Sequence, residues 1–142
     1  ILLPVDCVVA EEISPQAETR VVERGDVGAA DRIGDIGPAS RALFGDALSD
    51  ARTVVWNGPM GVFEMDPFAQ GTVALAEAVA EVTHAGGTTV VGGGDSVSAA
   101  EKAGVVHRIT HVSTGGGASL EFLAGVPLPG VAALDPKPGA EA

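Results

Sequence analysis

Two runs of three glycines, each following a short apolar run and preceding a helix-like segment, most constrain what this chain can fold into. The first run is residues 92–94 and the second is residues 115–117. A strand that ends in glycines and turns into a helix exposes backbone N–H groups at the positive end of the helix dipole, and such groups bind phosphate. The alternative is that the glycines only turn the chain. Two triplets at equivalent positions favour the phosphate interpretation.

Apolar runs rich in Val and Thr alternate with helix-like segments along the chain. Strands are predicted at residues 2–9, 53–56, 88–91 and 108–112. Helices are predicted to begin at Gly37-Pro38, at Asp66-Pro67 (with Asp66 as the N-cap) and over residues 96–103 and 118–124. Residues 12–35 are predicted to be irregular with short extended pieces such as 20–22, and the proline-rich C-terminal stretch is predicted to be irregular as well. The alternation predicts an α/β fold with a parallel sheet of about four strands.

The carboxyl ends of parallel strands meet at one edge of a sheet, and ligands bind there. The loops after Trp56, Val91 and Val112 all follow predicted strands. We therefore expect these three loops to lie together.

Polar side chains near these loops have two interpretations each. Asp95 is either a helix N-cap or a ligand of Mg²⁺, which takes one or two carboxylates together with substrate phosphates. Ser96 caps the same helix or donates to a phosphate oxygen. Glu64 is either a solvated acid or a partner of ribose hydroxyls. Cys7 and Trp56 fit a core. The three histidines lack metal-ligand spacing; they are His84, His107 and His111.

Charge and composition exclude several classes. The net charge is −11, which argues against binding to nucleic acid or to an anionic membrane. Neither lysine, Lys102 or Lys137, lies in a glycine loop, so a bound phosphate would need amide dipoles, a metal ion or basic groups outside this chain. The single Cys7 fits a reducing cytoplasm. The first five residues read like the middle of a strand, so the chain is expected to be a fragment.

Three long motifs closely resemble phosphoglycerate kinase. They are residues 56–64 (WNGPMGVFE), 92–96 (GGGDS) and 113–121 (STGGGASLE), and residues 35–38 and 128–131 match that family too. The resemblance implies a Rossmann-like, three-layer α/β domain that is incomplete here. It assigns residues 1–134 to the C-terminal part of the nucleotide-binding domain and leaves residues 135–142 as an irregular tail. It also implies a cytoplasmic, monomeric full-length enzyme.

That family transfers a phosphoryl group between 1,3-bisphosphoglycerate and Mg-ADP, which gives 3-phosphoglycerate and ATP in glycolysis. By resemblance, the nucleotide is ADP or ATP and its binding residues are Asn57, Pro59, Val62, Phe63, Glu64, Gly92, Gly93, Gly94, Asp95 and Ser96. In that set Asn57 approaches the phosphates, Glu64 takes the ribose hydroxyls and Asp95 meets Mg²⁺. The amides that would stabilise the phosphoryl group in transit belong to Gly115, Gly116 and Gly117.

Parts of the family enzyme are missing from this sequence. The 3-phosphoglycerate-binding N-terminal domain is absent, as are the start of the nucleotide domain and its phosphate-binding lysine. The chain alone is therefore expected to be inactive. Two other classes stay open, namely a nucleotide-binding or interaction module without chemistry and an enzyme of another phospho-ligand such as a sugar phosphate.

Overall fold

The structure is a computed structural model that describes residues 1–113 and 115–134. Its strands are β1 (Asp6–Ala10), β2 (Arg20–Glu23), β3 (Arg32–Ile36), β4 (Thr53–Trp56), β5 (Thr88–Gly92) and β6 (His111–Ser113). Its α-helices are α1 (Pro38–Ser49), α2 (Gln70–His84), α3 (Gly94–Lys102), α4 (Gly117–Leu123) and α5 (Pro129–Ala132). Short 3-10 helices occupy Arg24–Asp26, Asp66–Phe68 and Val106–Arg108.

The strands that precede the glycine triplets form a parallel sheet in the order β4-β5-β6. Side chains alternate across it, so Trp56 and Val91 are buried on one face whereas Val55 on the other is 43% exposed. Helices α2 and α3 cover the buried face, and α4 lies beside the other across a groove of about 420 Å³. The predicted α/β fold with a parallel sheet is confirmed. The main core cluster is Trp56, Phe63, Ala69, Ala76, Ala80, Val91, Ala99, Ala100 and Val105.

The parallel sheet has three strands rather than about four, because the first predicted strand joins a separate sheet. There β1 lies between β2 and β3 and pairs antiparallel with both. Within residues 12–35, predicted to be irregular with short extended pieces, the piece at 20–22 forms part of β2, whereas β3 was not predicted as a strand. Its sequence carries two charged residues and a glycine, which hide the strand pattern. Gly34 is required because the Phe68 ring fills the space that a Cβ would take.

Several predicted boundaries shift for local reasons. Asp66 does not cap α2, which begins at Gln70 after a 3-10 turn, and its carboxylate binds Lys102 instead (Oδ1–Nζ 2.9 Å). The last strand begins at His111 and not at 108, because Val106–Arg108 forms a 3-10 helix. The short helix α5 lies where an irregular chain was expected. The predicted tail, residues 135–142, lies outside the described residues.

The start of α1 is tied to the antiparallel sheet by a buried carboxylate. Asp6 accepts hydrogen bonds from the N–H groups of Ala39 (2.9 Å) and Ser40 (2.7 Å) and from Ser40 Oγ (2.6 Å). Burial raises the pKa of Asp6, but the hydrogen bonds from Ser40 and Ala39 outweigh it and leave the pKa below its usual value. The ionised carboxylate is thus the form that stabilises the fold.

We predict that Asp6→Asn lowers the free energy of unfolding at pH 7 by about 2 kcal/mol, the scale of a hydrogen bond to a charged group. Since the folded-state pKa is lowered, the stabilisation is present above the unfolded-state pKa and is lost as the pH falls through the folded-state pKa. Urea unfolding at pH 7 and at acid pH measures both effects. Asp46→Asn, at an exposed position of α1, is the control. A deficit that stays constant down to acid pH would contradict this assignment.

Candidate functional site

The loops after β4, β5 and β6 meet at one edge of the parallel sheet, as predicted. The N–H of Gly58 donates to Ser96 Oγ (2.6 Å), which joins the first loop to the second. A Cβ at Gly92 would lie 3.7 Å from Ser119 Cβ, so the end of β5 contacts α4. Ser119 Oγ and Ser113 Oγ share a hydrogen bond of 2.7 Å that closes the third loop. The two glycine triplets are therefore neighbours.

The first triplet leads directly into α3. Gly93 is the N-cap residue, and its φ of +90° is one that other residues rarely adopt. A Cβ there would also come within 2.8 Å of Asn57 Oδ1, which places Asn57 against this triplet. The N–H groups of Gly94, Asp95 and Ser96 belong to the first turn, and the described residues supply no acceptor for them. These amides are available to an anion.

The two polar side chains of this turn behave differently. Asp95 is exposed, and its carboxylate makes no hydrogen bond with a described residue. Since Gly93 holds the cap position and no side chain caps α3, the N-cap interpretation of Asp95 is not what the structure shows. Ser96 is only 1% exposed and accepts the Gly58 hydrogen bond. Its hydroxyl thereby fixes two loops together, while its own proton remains free to be donated.

The second triplet forms the start of α4 in a similar way. Gly116 is the N-cap residue, with φ +50° and ψ −124°. The N–H of Gly115 donates to Ser113 Oγ at 3.3 Å. For the N–H groups of Gly116 and Gly117, the part of the chain that the structure describes offers no acceptor. This start also presents free amide donors.

Residues 57–65 carry the remaining residues that the resemblance predicts to bind a nucleotide, and after that prediction they are here called the nucleotide loop. Phe63 is 6% exposed and packs in the main core cluster, so it supports the loop from inside. Pro59 and Val62 are half-buried, and Glu64 is exposed. The Val62 N–H donates to the Gly34 carbonyl (2.9 Å), which anchors the loop to β3. The loop therefore presents Glu64 at the surface from a fixed base.

Buried polar groups beneath the nucleotide loop were missed as site residues in the sequence. Asp35 is 2% exposed and accepts hydrogen bonds from the N–H groups of Ile36 (2.8 Å) and Gly71 (2.6 Å). A Cβ on Gly61 would lie 2.5 Å from its carboxylate, so the loop rests directly on Asp35. Burial raises the pKa of Asp35. Thr72 Oγ1 accepts from the N–H groups of Met60 and Gly61, at 3.1 and 3.3 Å.

Lys102 was also missed, because its partners are up to 39 residues away in the sequence. Its Nζ donates to the carbonyl of Phe63 (2.7 Å), to the carbonyl of Glu64 (3.4 Å) and to Asp66 Oδ1 (2.9 Å). The end of α3 is thereby attached to the nucleotide loop. Nothing local to Lys102 in the sequence indicates this contact.

The structure also tests the predicted core residues and shows whether metal-binding side chains lie close together. Cys7 and Trp56 are buried, which confirms them as core residues. Within residues 1–113 and 115–134, no three His, Cys, Asp or Glu side chains converge on a metal position. A Mg²⁺ ion at Asp95 would have one carboxylate ligand from the described residues, which suits Mg²⁺ when phosphate oxygens supply further ligands.

Among the described helices, none has the length and apolar character needed to cross a membrane.

The sequence profile of the family described as phosphoglycerate kinase matches residues 1–126. The chain belongs to the phosphoglycerate kinase family. It is 56% identical over 135 residues to the phosphoglycerate kinase of Chlorobium limicola, covering 95% of this chain and 34% of that protein. It is 59% identical over 134 residues to that of Pelotomaculum thermopropionicum, covering 94% and 33%.

Solved structures of this family share the fold. Phosphoglycerate kinase from Coxiella burnetii superposes with a TM-score of 0.85 at 44% identity, covering 92% of this chain and 33% of that one. The enzyme from Pyrococcus horikoshii gives a TM-score of 0.78 at 38% identity, covering 92% and 31%. The chain therefore spans about a third of the length of the relatives it matches.

Adjacent glycines of the first triplet give a matched test of this geometry. We predict that Gly93→Ala lowers the free energy of unfolding by about 1–3 kcal/mol, because Ala would hold a positive φ and contact Asn57 Oδ1. Gly94→Ala should be neutral or slightly stabilising, since it lies in α3 with open space around its Cβ position. Urea unfolding of both variants checks this. Equal losses would mean that Gly93 does not hold this conformation.

Proposed function

We propose that this chain is the C-terminal part of the nucleotide-binding domain of a phosphoglycerate kinase. The full-length protein would transfer a phosphoryl group from the acyl phosphate of 1,3-bisphosphoglycerate to the terminal oxygen of Mg-ADP. The bond between phosphorus and the carboxyl oxygen breaks, a bond to ADP forms, and 3-phosphoglycerate and ATP leave. The observation that carries this proposal is that, in a member of this family, the glycine-containing starts of two helices, α3 and α4, lie at the same edge of the parallel sheet.

The start of α3 would bind the nucleotide, and the start of α4 would stabilise the phosphoryl group during its transfer. The amides of Gly94, Asp95 and Ser96 would hold the nucleotide phosphates, with Asn57 beside them, and exposed Glu64 would take the ribose hydroxyls. The amides of the second triplet would stabilise the phosphoryl group in transit. Phosphoryl transfer asks the protein mainly for alignment and charge neutralisation, and fixed backbone donors supply both.

Asp95 suits a Mg²⁺ ion bound together with the nucleotide phosphates. Its exposed carboxylate stands in the first turn of α3, next to amides that attract phosphate. When bound, Mg²⁺ would neutralise negative charge on the phosphates. The protein's own part is to hold the carboxylate there and to leave room for phosphate oxygens as further ligands.

Uncovered apolar surface supports the view that more of the protein packs here. Among the described strands β4 has one neighbour, β5, and its open edge borders a groove of about 370 Å³ lined by apolar side chains of α1 and β4. On the other side of the sheet, Phe122 and Leu123 of α4 are 70% and 58% exposed. Such surfaces are normally buried in a folded domain. We propose that the remaining two thirds of the family's length, including the 3-phosphoglycerate-binding domain, supplies this cover.

The first test is an assay of the full-length protein that contains this chain. We expect Mg²⁺-dependent formation of ATP from ADP and 1,3-bisphosphoglycerate. Asp95→Asn should raise the Mg²⁺ concentration needed for half-maximal rate by on the order of tenfold, with little change in melting temperature, since the exposed carboxylate makes no hydrogen bond or ion pair with a described residue. ADP binding without turnover would favour a binding module. A preference for sugar phosphates over ADP would favour a different phospho-ligand enzyme.

The second test concerns the second triplet. Gly116→Val in the full-length protein should lower kcat by on the order of 10²-fold, comparable with the loss of an oxyanion-hole donor, because Val does not tolerate a φ of +50° and the amides would turn away. A direct ADP titration should show little change, since the nucleotide is held by the other loops. Loss of ADP affinity with an intact kcat at saturation would mean that the two triplets have exchanged roles.

A further inference from the structure

We infer that Lys102 is a positioning residue that fixes the ribose side of the nucleotide loop relative to the first glycine triplet. This inference rests on the proposed function, which makes Glu64 the ribose ligand and the start of α3 the phosphate site. It assigns a task to a lysine that the chemistry itself does not use.

The contacts of Lys102 are directed at the backbone of the loop. An ammonium group has three N–H donors, and the three acceptors of Nζ are the Phe63 carbonyl, the Glu64 carbonyl and Asp66 Oδ1. The Phe63 bond is the shortest, at 2.7 Å. The ion pair adds little by itself, because the Asp66 side chain is 93% exposed. The charge-assisted hydrogen bonds to the two carbonyls therefore contribute more to the free energy of this contact than the ion pair does.

Glu64 depends on this contact for its direction. Its carboxylate makes no hydrogen bond or ion pair with another described residue, so the backbone at 63–64 sets the position from which the side chain extends. That stretch lies in neither a helix nor a strand. The other side of the loop is held by Thr72 and by the Gly34 carbonyl, which contact residues 60–62. On the side of Glu64, Lys102 adds its hydrogen bonds to the burial of the Phe63 ring and to the turn hydrogen bond from the Met65 N–H to the Val62 carbonyl.

Helix α3 connects the two ends of the proposed nucleotide site. It begins at Gly94 and ends at Lys102, which is about 12 Å along the axis at 1.5 Å per residue. Ala99 and Ala100 pack this helix into the core at 1% exposure or less. A rigid helix with phosphate-binding amides at its start and a loop-binding ammonium at its end keeps the phosphate and ribose contacts at a constant separation.

The competing explanation is that Lys102 only places a positive charge near the C-terminal end of the helix dipole. That role would contribute to stability and not to nucleotide recognition. The two explanations differ in whether the KM for ADP changes, because the dipole explanation predicts a change in stability alone.

The test is Lys102→Met in the full-length protein, which keeps the apolar stem and removes all three donors. We expect the KM and Kd for ADP to rise on the order of tenfold, the scale of one hydrogen bond to a charged group. The value of kcat at saturating ADP and the KM for 1,3-bisphosphoglycerate should stay within about twofold. Lys102→Arg should recover most of the affinity, because its guanidinium also donates several N–H groups. Lys102→Gln is the second variant if the Met variant does not fold.

Arg108→Met is the matched control. Arg108 also bridges elements, through Glu77 (2.7 Å) and Glu81 (2.5 Å) of α2, but it does not contact the nucleotide loop. It should change stability alone. A fall in melting temperature in Lys102→Met with an unchanged KM for ADP would overturn the inference and leave the dipole explanation.

Amide hydrogen exchange separates this inference from the proposed function. Exchange at residues 62–66 should accelerate in Lys102→Met and not in Arg108→Met, whether or not the protein is a kinase. An inactive wild-type protein with accelerated exchange would refute the proposed function and keep the anchoring role. Unchanged exchange in an active protein would refute the anchoring role and keep the function.

Discussion

First-turn N–H groups of a helix need hydrogen-bond acceptors, and this constraint organises the structure. At α1 and α2 the chain supplies acceptors from its own buried carboxylates. Asp6 of β1 accepts from the start of α1, and Asp35 of β3 accepts from Gly71 in the first turn of α2. At α3 and α4 no carboxylate among the described residues performs this task, and each helix instead follows an N-cap glycine with positive φ. The starts of α1 and α2 are each contacted by a carboxylate of the chain and are here called closed, whereas those of α3 and α4 are left open to an anion.

The division follows from the two sheets. The antiparallel sheet carries the closed helix starts, because β1 and β3 deliver Asp6 and Asp35 beneath α1 and α2. The parallel sheet carries the open ones, because β5 and β6 are the strands that precede α3 and α4 and they end at the same edge. The nucleotide loop lies between these parts, resting on Asp35 on one side and bonded through Gly58 to Ser96 on the other. The open amides are therefore held by a scaffold in which, among the described residues, every buried side-chain nitrogen and oxygen has a hydrogen-bond partner.

Sequence patterns predicted those strands and helix starts whose formation depends on residues close together in the sequence. Strand β4 and the glycine turns into α3 and α4 could be predicted because alternation and helix starts leave marks within a few residues. Strand β3 could not, because Gly34 exists to accommodate the ring of Phe68, which lies 34 residues later in the sequence. The N-cap at Asp66 failed for a similar reason, since Lys102 takes its carboxylate.

The site shows the same division between local and distant signals. The backbone donors could be inferred from the glycine triplets, and the resemblance named the side chains around them. The supports could not be inferred, because Asp35, Thr72 and Lys102 act on residues of the nucleotide loop that are 11 to 39 positions away. A sequence motif contains the residues that would contact a ligand. The residues that position those groups are brought to them by tertiary packing, so they have no characteristic spacing in the sequence.

The net negative charge of the chain is compatible with phosphate binding at the starts of α3 and α4. A chain with a net charge of −11 repels a nucleotide at long range, and its Lys102 is committed to backbone carbonyls. Amide dipoles at two helix starts attract phosphate without adding a formal charge, and they act only at short range. In our proposal the remaining charge is balanced by Mg²⁺ and by basic groups of the rest of the protein. Affinity for the nucleotide would then depend on bringing those cations to this edge of the sheet, which ties phosphate binding to the assembly of the complete site.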